Sequence, residues 1–200
     1  MIQTQFDKIN ERLAKWRRQR HLIKTKQRLG YFGNVYEELS EYYRAKNTYD
    51  KLDAIMDIAI FTLNAFDYKY DTGAFYKKKE TQEYLLMQHI ANHISEIDNA
   101  ITYPNLLIEN LEYLTFQYGF SFYYCMIEAI KEIESRSGYY DPTINKFIKD
   151  KGAYDLKSAK KHFLLSIKYK ESDDYWYFLT FKGKKKIKKW YKAKYSSCIW

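Results

Sequence analysis

Residues 36–57 read YEELSEYYRAKNTYDKLDAIMD, and this stretch decides the fold that the sequence predicts. Two runs with the apolar spacing of helices are separated by Asn47 and Thr48, residues typical of a turn and a helix N-cap. Because the connection is so short, the stretch predicts an antiparallel pair of helices. Both runs also carry several carboxylates, although the whole chain has a formal net charge of +9.

The composition favours helices elsewhere as well. The chain has 200 residues and is 46% hydrophobic, yet its seven glycines and two prolines leave few of the breaks that a many-stranded sheet needs. We therefore expect an all-α helical bundle with a basic, partly irregular C-terminal region. Residues 1–137 are expected to form the bundle with a carboxylate metal site. Residues 138–200 are expected to form a basic substrate-contacting loop and a C-terminal extension of the same domain.

Local patterns refine this expectation. Apolar and basic positions alternate at helical spacing over residues 5–28, and Gly30 and Gly33 are expected to end that helix. A second helix is expected from Asn34 to about residue 45. In the basic C-terminal region, YWYFLTF at residues 175–181 indicates a short strand.

The sequence gives no sign of a membrane or secreted protein. The longest uncharged run, residues 113–127, is shorter than the roughly 20 apolar residues that span a bilayer. Residues 1–16 lack the apolar centre of a signal peptide, and Cys125 and Cys198 are too few for a disulfide framework. We expect a protein of the reducing cytoplasm that does not contact membranes.

The carboxylates are spaced so that they share helix faces. Glu38 and Glu41 lie three residues apart with Glu37 beside them, and Asp53 and Asp57 lie four apart on the next helix. Apolar neighbours draw these acids towards the seam between the helices, where burial and repulsion are costly unless a cation neutralises them. An oxygen-only ligand set favours Mg²⁺, with Mn²⁺ as a substitute.

A plainer interpretation is that these acids lie on solvated helix faces, where such spacings are common, and that Asp50 and Asp53 favour a helix N-terminus. Asp57 argues against it, because this residue lies within the apolar run AIMDIAIFTL. His89 and His93, four residues apart, have the spacing of a zinc site on one helix face, but the pattern lacks the glutamate of HExxH.

The segments YEELSEYYRA and DKLDAIMDIAIF resemble the all-alpha nucleoside triphosphate pyrophosphohydrolases, the MazG-like superfamily that includes dimeric dUTPases and phosphoribosyl-ATP pyrophosphohydrolases. The family pattern is ExxE on one helix and ExxD on the next. Glu38 and Glu41 match the first half, and Asp57 matches the final aspartate. Ala54 occupies the position of the ExxD glutamate, and Asp53 is the nearest acid, which gives a DxxxD form.

A second resemblance concerns the substrate. EIESRSGYYDPTINKFIKDKG is similar to a loop of phage and bacterial MazG-like proteins that supplies lysines to nucleotide phosphates, and this implies such a role for Lys146 and Lys149. WYKAKYSSC is similar to a WYKADY-like tail, which adds Lys192 and Tyr195 as substrate contacts. Asn34 is a candidate contact for the base, as is Asn64.

The resemblance implies Mg²⁺-dependent hydrolysis of a ribo- or deoxynucleoside triphosphate, dUTP among them, to monophosphate and pyrophosphate in nucleotide-pool clean-up. Glu38, Glu41 and Asp57, with Asp53, would hold the metal. Glu37 or Glu38 would accept a proton from the attacking water. The family generally forms dimers or tetramers, so a homo-oligomer is expected.

Two alternatives remain open. A non-enzymatic nucleic-acid-binding protein could use the basic residues 12–28 and 182–194, with bases stacking on Trp190, Tyr191 and Tyr195. Such a protein gains nothing from acids at a helix seam, so this alternative is less favoured. The second alternative is a family member that binds nucleotide without cleaving it, which the alanine in the ExxD motif would explain.

Overall fold

The structure is a computed structural model that describes residues 1–68, 70, 82–97, 102–144, 146–163 and 168–200. These residues form seven α-helices and six β-strands, so the expectation of an all-α fold is wrong and the fold is mixed α and β. The chain divides into two compact units. The first unit comprises Met1–Ile130 and Lys194–Trp200, and the second comprises Lys131–Ala193.

The first unit is helical. Its helices are α1 (Gln3–Gln19), α2 (Lys24–Arg44), α3 (Thr48–Ala65), α4 (Glu83–Glu96), α5 (Thr102–Gln117) and α6 (Phe122–Ser135), the last of which continues into the second unit. The predicted turn between α2 and α3 is confirmed, because the Asn47 side chain caps α3 by accepting a hydrogen bond from the backbone N–H of Asp50. Helix α3 packs against α1, α2 and α5 and carries the centre of the core. In the described part of the chain, no helix is both long and apolar enough to cross a membrane.

The first helix ends earlier than the sequence predicted. Helix α1 stops at Gln19, and α2 continues through Gly30 and Gly33 without a break. The chain turns at His21, whose φ is 52° and whose N–H bonds the carbonyl of Arg18, while Leu22 N–H bonds that of Arg17. This is a Schellman cap with histidine in the place usually taken by glycine. A glycine within a helix costs only about 1 kcal/mol, so packing of α2 on α3 overrides it.

The second unit contains the sheets. Its elements are β1 (Gly138–Asp141), β2 (Lys146–Lys149), β3 (Gly152–Ala153), α7 (Leu156–Lys161), β4 (Lys168–Glu171), β5 (Tyr175–Thr180) and β6 (Gly183–Lys189). Strands β1 and β2 form an antiparallel hairpin. The other sheet has the order β3-β6-β5-β4, in which β3 is parallel to β6 and the remaining pairs are antiparallel.

Alternation along β5 and β6 explains this sheet. Trp176 and Phe178 on β5 and Ile187 on β6 point inward, where they pack with Ala153 and Ala159 into a small core. The residues between them point outward, as the two-residue period of a strand requires. The strand predicted at residues 175–181 is therefore confirmed, and the lysines after it form a second strand.

Candidate functional site

Five acids lie on α2 and α3 close to the turn that joins these helices. Glu37 and Glu41 are exposed, whereas Glu38, Asp53 and Asp57 are half-buried. We call these five residues the acid cluster. They are the same five that the sequence singled out, and all of them belong to the first unit.

The sequence of α3 explains how two acids come to lie at a packed seam. Leu52, Met56 and Ile58, which neighbour the acids along the chain, are completely buried. Asp53 and Asp57, four residues apart, therefore share a narrow strip of the helix surface. Ala54 is only 2% exposed, so the position that matches the family glutamate lies in the core and not on this strip.

The acids act on one another electrostatically. Partial burial, followed by the negative charges of Asp57, Glu41, Asp53 and Glu37, raises the pKa of Glu38 to about 8. Burial disfavours the charged form of a carboxyl group, and nearby anions disfavour it further. The fold thus brings the five predicted acids together, although they lie on two helices.

The described residues hold no ready-made metal site, since no three His, Cys, Asp or Glu side chains among them are arranged to hold an ion. The acid cluster nevertheless suits Mg²⁺, because this ion keeps several waters and shares one or two carboxylates with substrate phosphates. The surplus negative charge around Glu38 is what a cation would relieve. Glu38, Glu41 and Asp57, with Asp53, are the residues available to hold it.

Tyr195 contacts the acid cluster directly. Its side chain is 4% exposed, and its hydroxyl donates a hydrogen bond of 2.8 Å to Oδ1 of Asp53. The C-terminal segment that carries it is fixed to α6, because the backbone N–H of Lys194 donates to Oε2 of Glu128 at 3.0 Å. The family resemblance predicts Tyr195 as a substrate contact, but the structure places it where it orients an acid of the cluster.

The two asparagines differ in their surroundings. Asn34 is exposed on α2, three residues before the first acid of the cluster. Asn64 is 1% exposed, and its carbonyl oxygen accepts a 2.6 Å hydrogen bond from the Arg17 guanidinium. Asn34 therefore remains accessible to a ligand, whereas Asn64 serves packing between α1 and α3.

The lysines predicted to meet phosphates belong to the second unit. Lys149 is exposed at the end of β2, and the backbone of Lys146 pairs with Asp141 in the hairpin, while its side chain lies outside the described residues. Lys192 is exposed and forms an ion pair with Glu132, with Nζ 3.4 Å from Oε2. The structure thus places Lys192 in a contact within its own unit.

Glu132 is a buried acid that the sequence analysis missed. Only 5% exposed, it accepts hydrogen bonds from the Tyr154 hydroxyl, the Arg136 guanidinium and the backbone N–H of Ala193, all between 2.7 and 2.8 Å. Burial would raise its pKa, but these donors and the charge of Lys192 together hold it below its usual value. Its signal in the sequence was an acid within the apolar helix CMIEAIKEI, the same signal that drew attention to Asp57.

The two histidines considered for zinc lie side by side on α4. The ring centroids of His89 and His93 are 6.5 Å apart and the rings are stacked at 23°, as expected for neighbours one turn apart. They belong to no metal-binding group among the side chains that the structure describes.

Comparisons with known proteins give no family for this chain. No protein-family model, no curated protein and no solved structure matches it. Its function therefore has to be inferred from the side chains themselves.

Proposed function

We propose that the acid cluster is the catalytic centre of a Mg²⁺-dependent nucleoside triphosphate pyrophosphohydrolase, in which Mn²⁺ can replace Mg²⁺. The observation that carries the proposal is the placement of five carboxylates on α2 and α3, three of them half-buried. Burial and the four neighbouring charges raise the pKa of Glu38, in agreement with this placement. Groups with strongly shifted pKa values concentrate at functional sites. A cluster of this kind without a ligand only weakens the fold, whereas with a cation and a phosphate ligand it becomes a binding site.

The roles of the residues follow from their surroundings. Glu38, Glu41 and Asp57, with Asp53, would hold Mg²⁺, which supplies positive charge to the phosphate oxygens and favours ionisation of water. Water attacks the α-phosphorus, its proton passes to a carboxylate, and pyrophosphate leaves with the electrons of the broken P–O bond. Glu37, which is exposed, or Glu38 is proposed to accept this proton. The pKa of about 8 belongs to Glu38 without metal, and a bound cation would lower it.

Positioning residues support the acids. The Tyr195 hydroxyl donates to Oδ1 of Asp53 and so fixes the orientation of this carboxylate. Asn34, exposed on α2, is the polar group proposed to meet the nucleoside. The proposal rests on the first unit alone and gives no role to the paired Lys192.

The proposal includes a cytoplasmic homo-oligomer, a dimer or tetramer. Its support is the exposure of Glu37 and Glu41, which leaves one side of the acid cluster open to solvent. A second copy of the chain over this side would exclude water from the bound phosphates, as catalysis requires.

The test is pyrophosphate release from a panel of ribo- and deoxynucleoside triphosphates, dUTP included, with Mg²⁺ and with a chelator. We expect Mg²⁺-dependent release that falls about 100-fold or more in Glu41→Gln and in Asp57→Asn. Glu11→Gln, which neutralises an exposed acid on α1, is the matched control and should keep full activity. Full activity in both cluster variants, or no release from any nucleotide by protein that circular dichroism shows to be folded, would reject the proposal.

A further inference from the structure

The outward face of the second unit's larger sheet combines lysines and tyrosines in a regular pattern. On β5, Tyr175 and Tyr177 lie directly opposite Lys188 and Lys186 of β6, and Lys170 of β4 lies opposite Tyr177 on the other side. Residues directly opposite each other in an antiparallel pair point to the same face. One row further along, Leu179 lies between Lys168 and Lys184. We call this side of β4, β5 and β6 the lysine–tyrosine face.

The tyrosine rings lie among the ammonium groups. Lys186 Nζ is 4.8 Å and Lys188 Nζ 4.7 Å from the ring centroid of Tyr175, both within cation–π range. Tyr177 is 39% exposed, and its ring centroid is 6.0 Å from that of Tyr175. The face therefore offers aromatic surface and positive charge at the same place.

Most of this positive charge is not neutralised by the protein. In the described chain, Lys188 pairs with Asp174 at 3.3 Å, whereas Lys168, Lys170, Lys184 and Lys186 have no acidic partner. Lys189 and Glu171 form another ion pair near the sheet. Glu171 lies opposite Trp176, and Lys189 lies two residues after Ile187, so both belong to the core side of the sheet and not to the lysine–tyrosine face. The outward face is therefore complementary to an extended polyanion.

We propose that the lysine–tyrosine face binds single-stranded nucleic acid. Phosphates would meet the lysines of β4 and β6, and bases would stack on the tyrosines of β5 between them. Tyr175 and Tyr177 are two residues apart, about 6–7 Å along the strand, which leaves room for one base on each ring. An open sheet with aromatic side chains suits unpaired bases, because a duplex presents no base faces for stacking.

This site differs from the nucleic-acid contact that the sequence indicated. Of the three aromatic residues expected to stack on bases, Tyr195 is buried against Asp53. Trp190 packs against Tyr154, with ring centroids 5.6 Å apart, and lies beside Gly152. Tyr191 is half-buried, with Lys131 Nζ 5.9 Å from its ring centroid. The lysine–tyrosine face presents other rings, half-buried Tyr175 and exposed Tyr177 of β5. The proposal also stands apart from hydrolysis at the acid cluster, since none of its residues belongs to the first unit.

The test measures binding of the full chain to fluorescein-labelled oligo(dT) and oligo(U) of 12 nucleotides, and to a duplex of equal length, by fluorescence anisotropy over a salt series. We expect single strands to bind more tightly than the duplex. Lys170→Gln/Lys186→Gln should weaken binding and reduce the slope of log K against log salt by about 1.4, since each phosphate contact contributes about 0.7. Tyr177→Ala should weaken binding about 5- to 100-fold at fixed salt.

Two controls keep the outcome decisive. Lys157→Gln/Lys161→Gln on α7 removes the same charge from exposed positions outside the face and should change binding by less than a factor of about two. Circular dichroism of each variant checks the fold. Equal losses in both lysine pairs, unchanged binding by Tyr177→Ala, or binding only to anionic lipid vesicles would overturn the proposal, and pyrophosphate release should remain unchanged throughout.

Discussion

The acid cluster of the first unit and the lysine–tyrosine face of the second unit both place charges of one sign side by side. The surroundings differ. Three of the five acids are half-buried at a helix seam, whereas the lysines of β4 and most of those of β6 extend into solvent. Like charges repel strongly where water is excluded and only weakly where water and salt screen them.

This difference decides how each cluster is interpreted. In the acid cluster, burial and repulsion raise the pKa of Glu38 to about 8, and this energetic cost supports the proposal of a bound cation. On the sheet, exposed lysines cost little and would not by themselves indicate a ligand. There the indication comes from the tyrosines placed between them. A buried like-charge cluster thus points to a ligand through its energy, and an exposed one only through its geometry.

The largest expected effect is on stability, from removal of Glu132, a buried acid whose carboxylate accepts three hydrogen bonds within the protein. Glu132→Ala would leave the donors of Arg136, Tyr154 and Ala193 without their acceptor, and we expect a loss of about 3–5 kcal/mol in the free energy of unfolding. Asp57→Asn, which relieves repulsion, should lose far less. Urea denaturation measures both. Glu134→Ala, at an exposed position on the same helix, is the control, and an equal loss there would show that the bonds to Glu132 do not set its contribution.

A second test introduces a steric clash beside the sheet and leaves every charged side chain in place. A Cβ atom on Gly152 would lie 2.0 Å from ring atoms of Trp190, so Gly152→Ala must displace that ring. We expect a loss of about 1–3 kcal/mol and weaker oligonucleotide binding, with pyrophosphate release unchanged. Gly33→Ala, where a Cβ would meet nothing within 4 Å, is the control and should be neutral or stabilising. Lost pyrophosphate release in Gly152→Ala would mean that the two units do not function separately.

A third test uses pH. The pKa of Glu38 is raised on folding, so the folded state holds its proton up to about pH 8, while the unfolded chain releases it near 4.5. Stability associated with Glu38 is therefore fully present below about pH 4.5 and is lost as pH rises through 8. Since Glu38 is partly solvated, we expect Glu38→Gln to remove a pH-dependent loss of only about 1–2 kcal/mol. Thermal melts at pH 5 and 9 measure it, and parallel pH profiles of the two proteins would contradict it.

The same shift predicts how Mg²⁺ acts on the protein without nucleotide. A cation must displace the Glu38 proton, so Mg²⁺ should raise the melting temperature more at pH 9 than at pH 6. Glu38→Gln should reduce this difference. Equal stabilisation at both pH values would argue against binding at the acid cluster.

Helices with a clear turn between them could be predicted from the sequence, whereas of the larger sheet only strand β5 could. Asn47 caps α3 by a hydrogen bond three residues away, which is local information. The residues of β6, GKKKIKK, contain a single apolar side chain, Ile187, so their alternation is nearly invisible in composition. That strand becomes regular only because β5 lies beside it and buries Ile187 opposite Trp176. Gly30 and Gly33 misled the prediction for the opposite reason, because tertiary packing outweighed a weak local preference.

The candidate site divides in the same way. Spacing on two adjacent helices sufficed to select Glu38 and the four acids that help to raise its pKa. The role of Tyr195 could not be predicted, because its partner Asp53 lies 142 residues earlier in the chain. Glu132 was visible as an acid in an apolar helix, and its donor Arg136 lies four residues away, but the other two donors, Tyr154 and Ala193, lie 22 and 61 residues away. Contacts between residues far apart in the chain produce no periodic pattern in the sequence, so they could not be predicted from it.

The variant with the smallest expected effect tests whether Asp53 takes the role of the family glutamate, whose position is occupied by Ala54. Tyr195→Phe removes one hydrogen bond to Asp53 while keeping the ring in the core, so the loss of stability should be about 0.5–1.5 kcal/mol. Without this bond the Asp53 carboxylate is less well oriented. If Asp53 is a metal ligand, half-maximal pyrophosphate release should therefore need several-fold more Mg²⁺, while the KM for the nucleotide stays unchanged. Tyr113→Phe, at another buried tyrosine of the first unit, is the control for stability alone. An unchanged Mg²⁺ requirement in Tyr195→Phe would assign the metal to Glu38, Glu41 and Asp57 without Asp53.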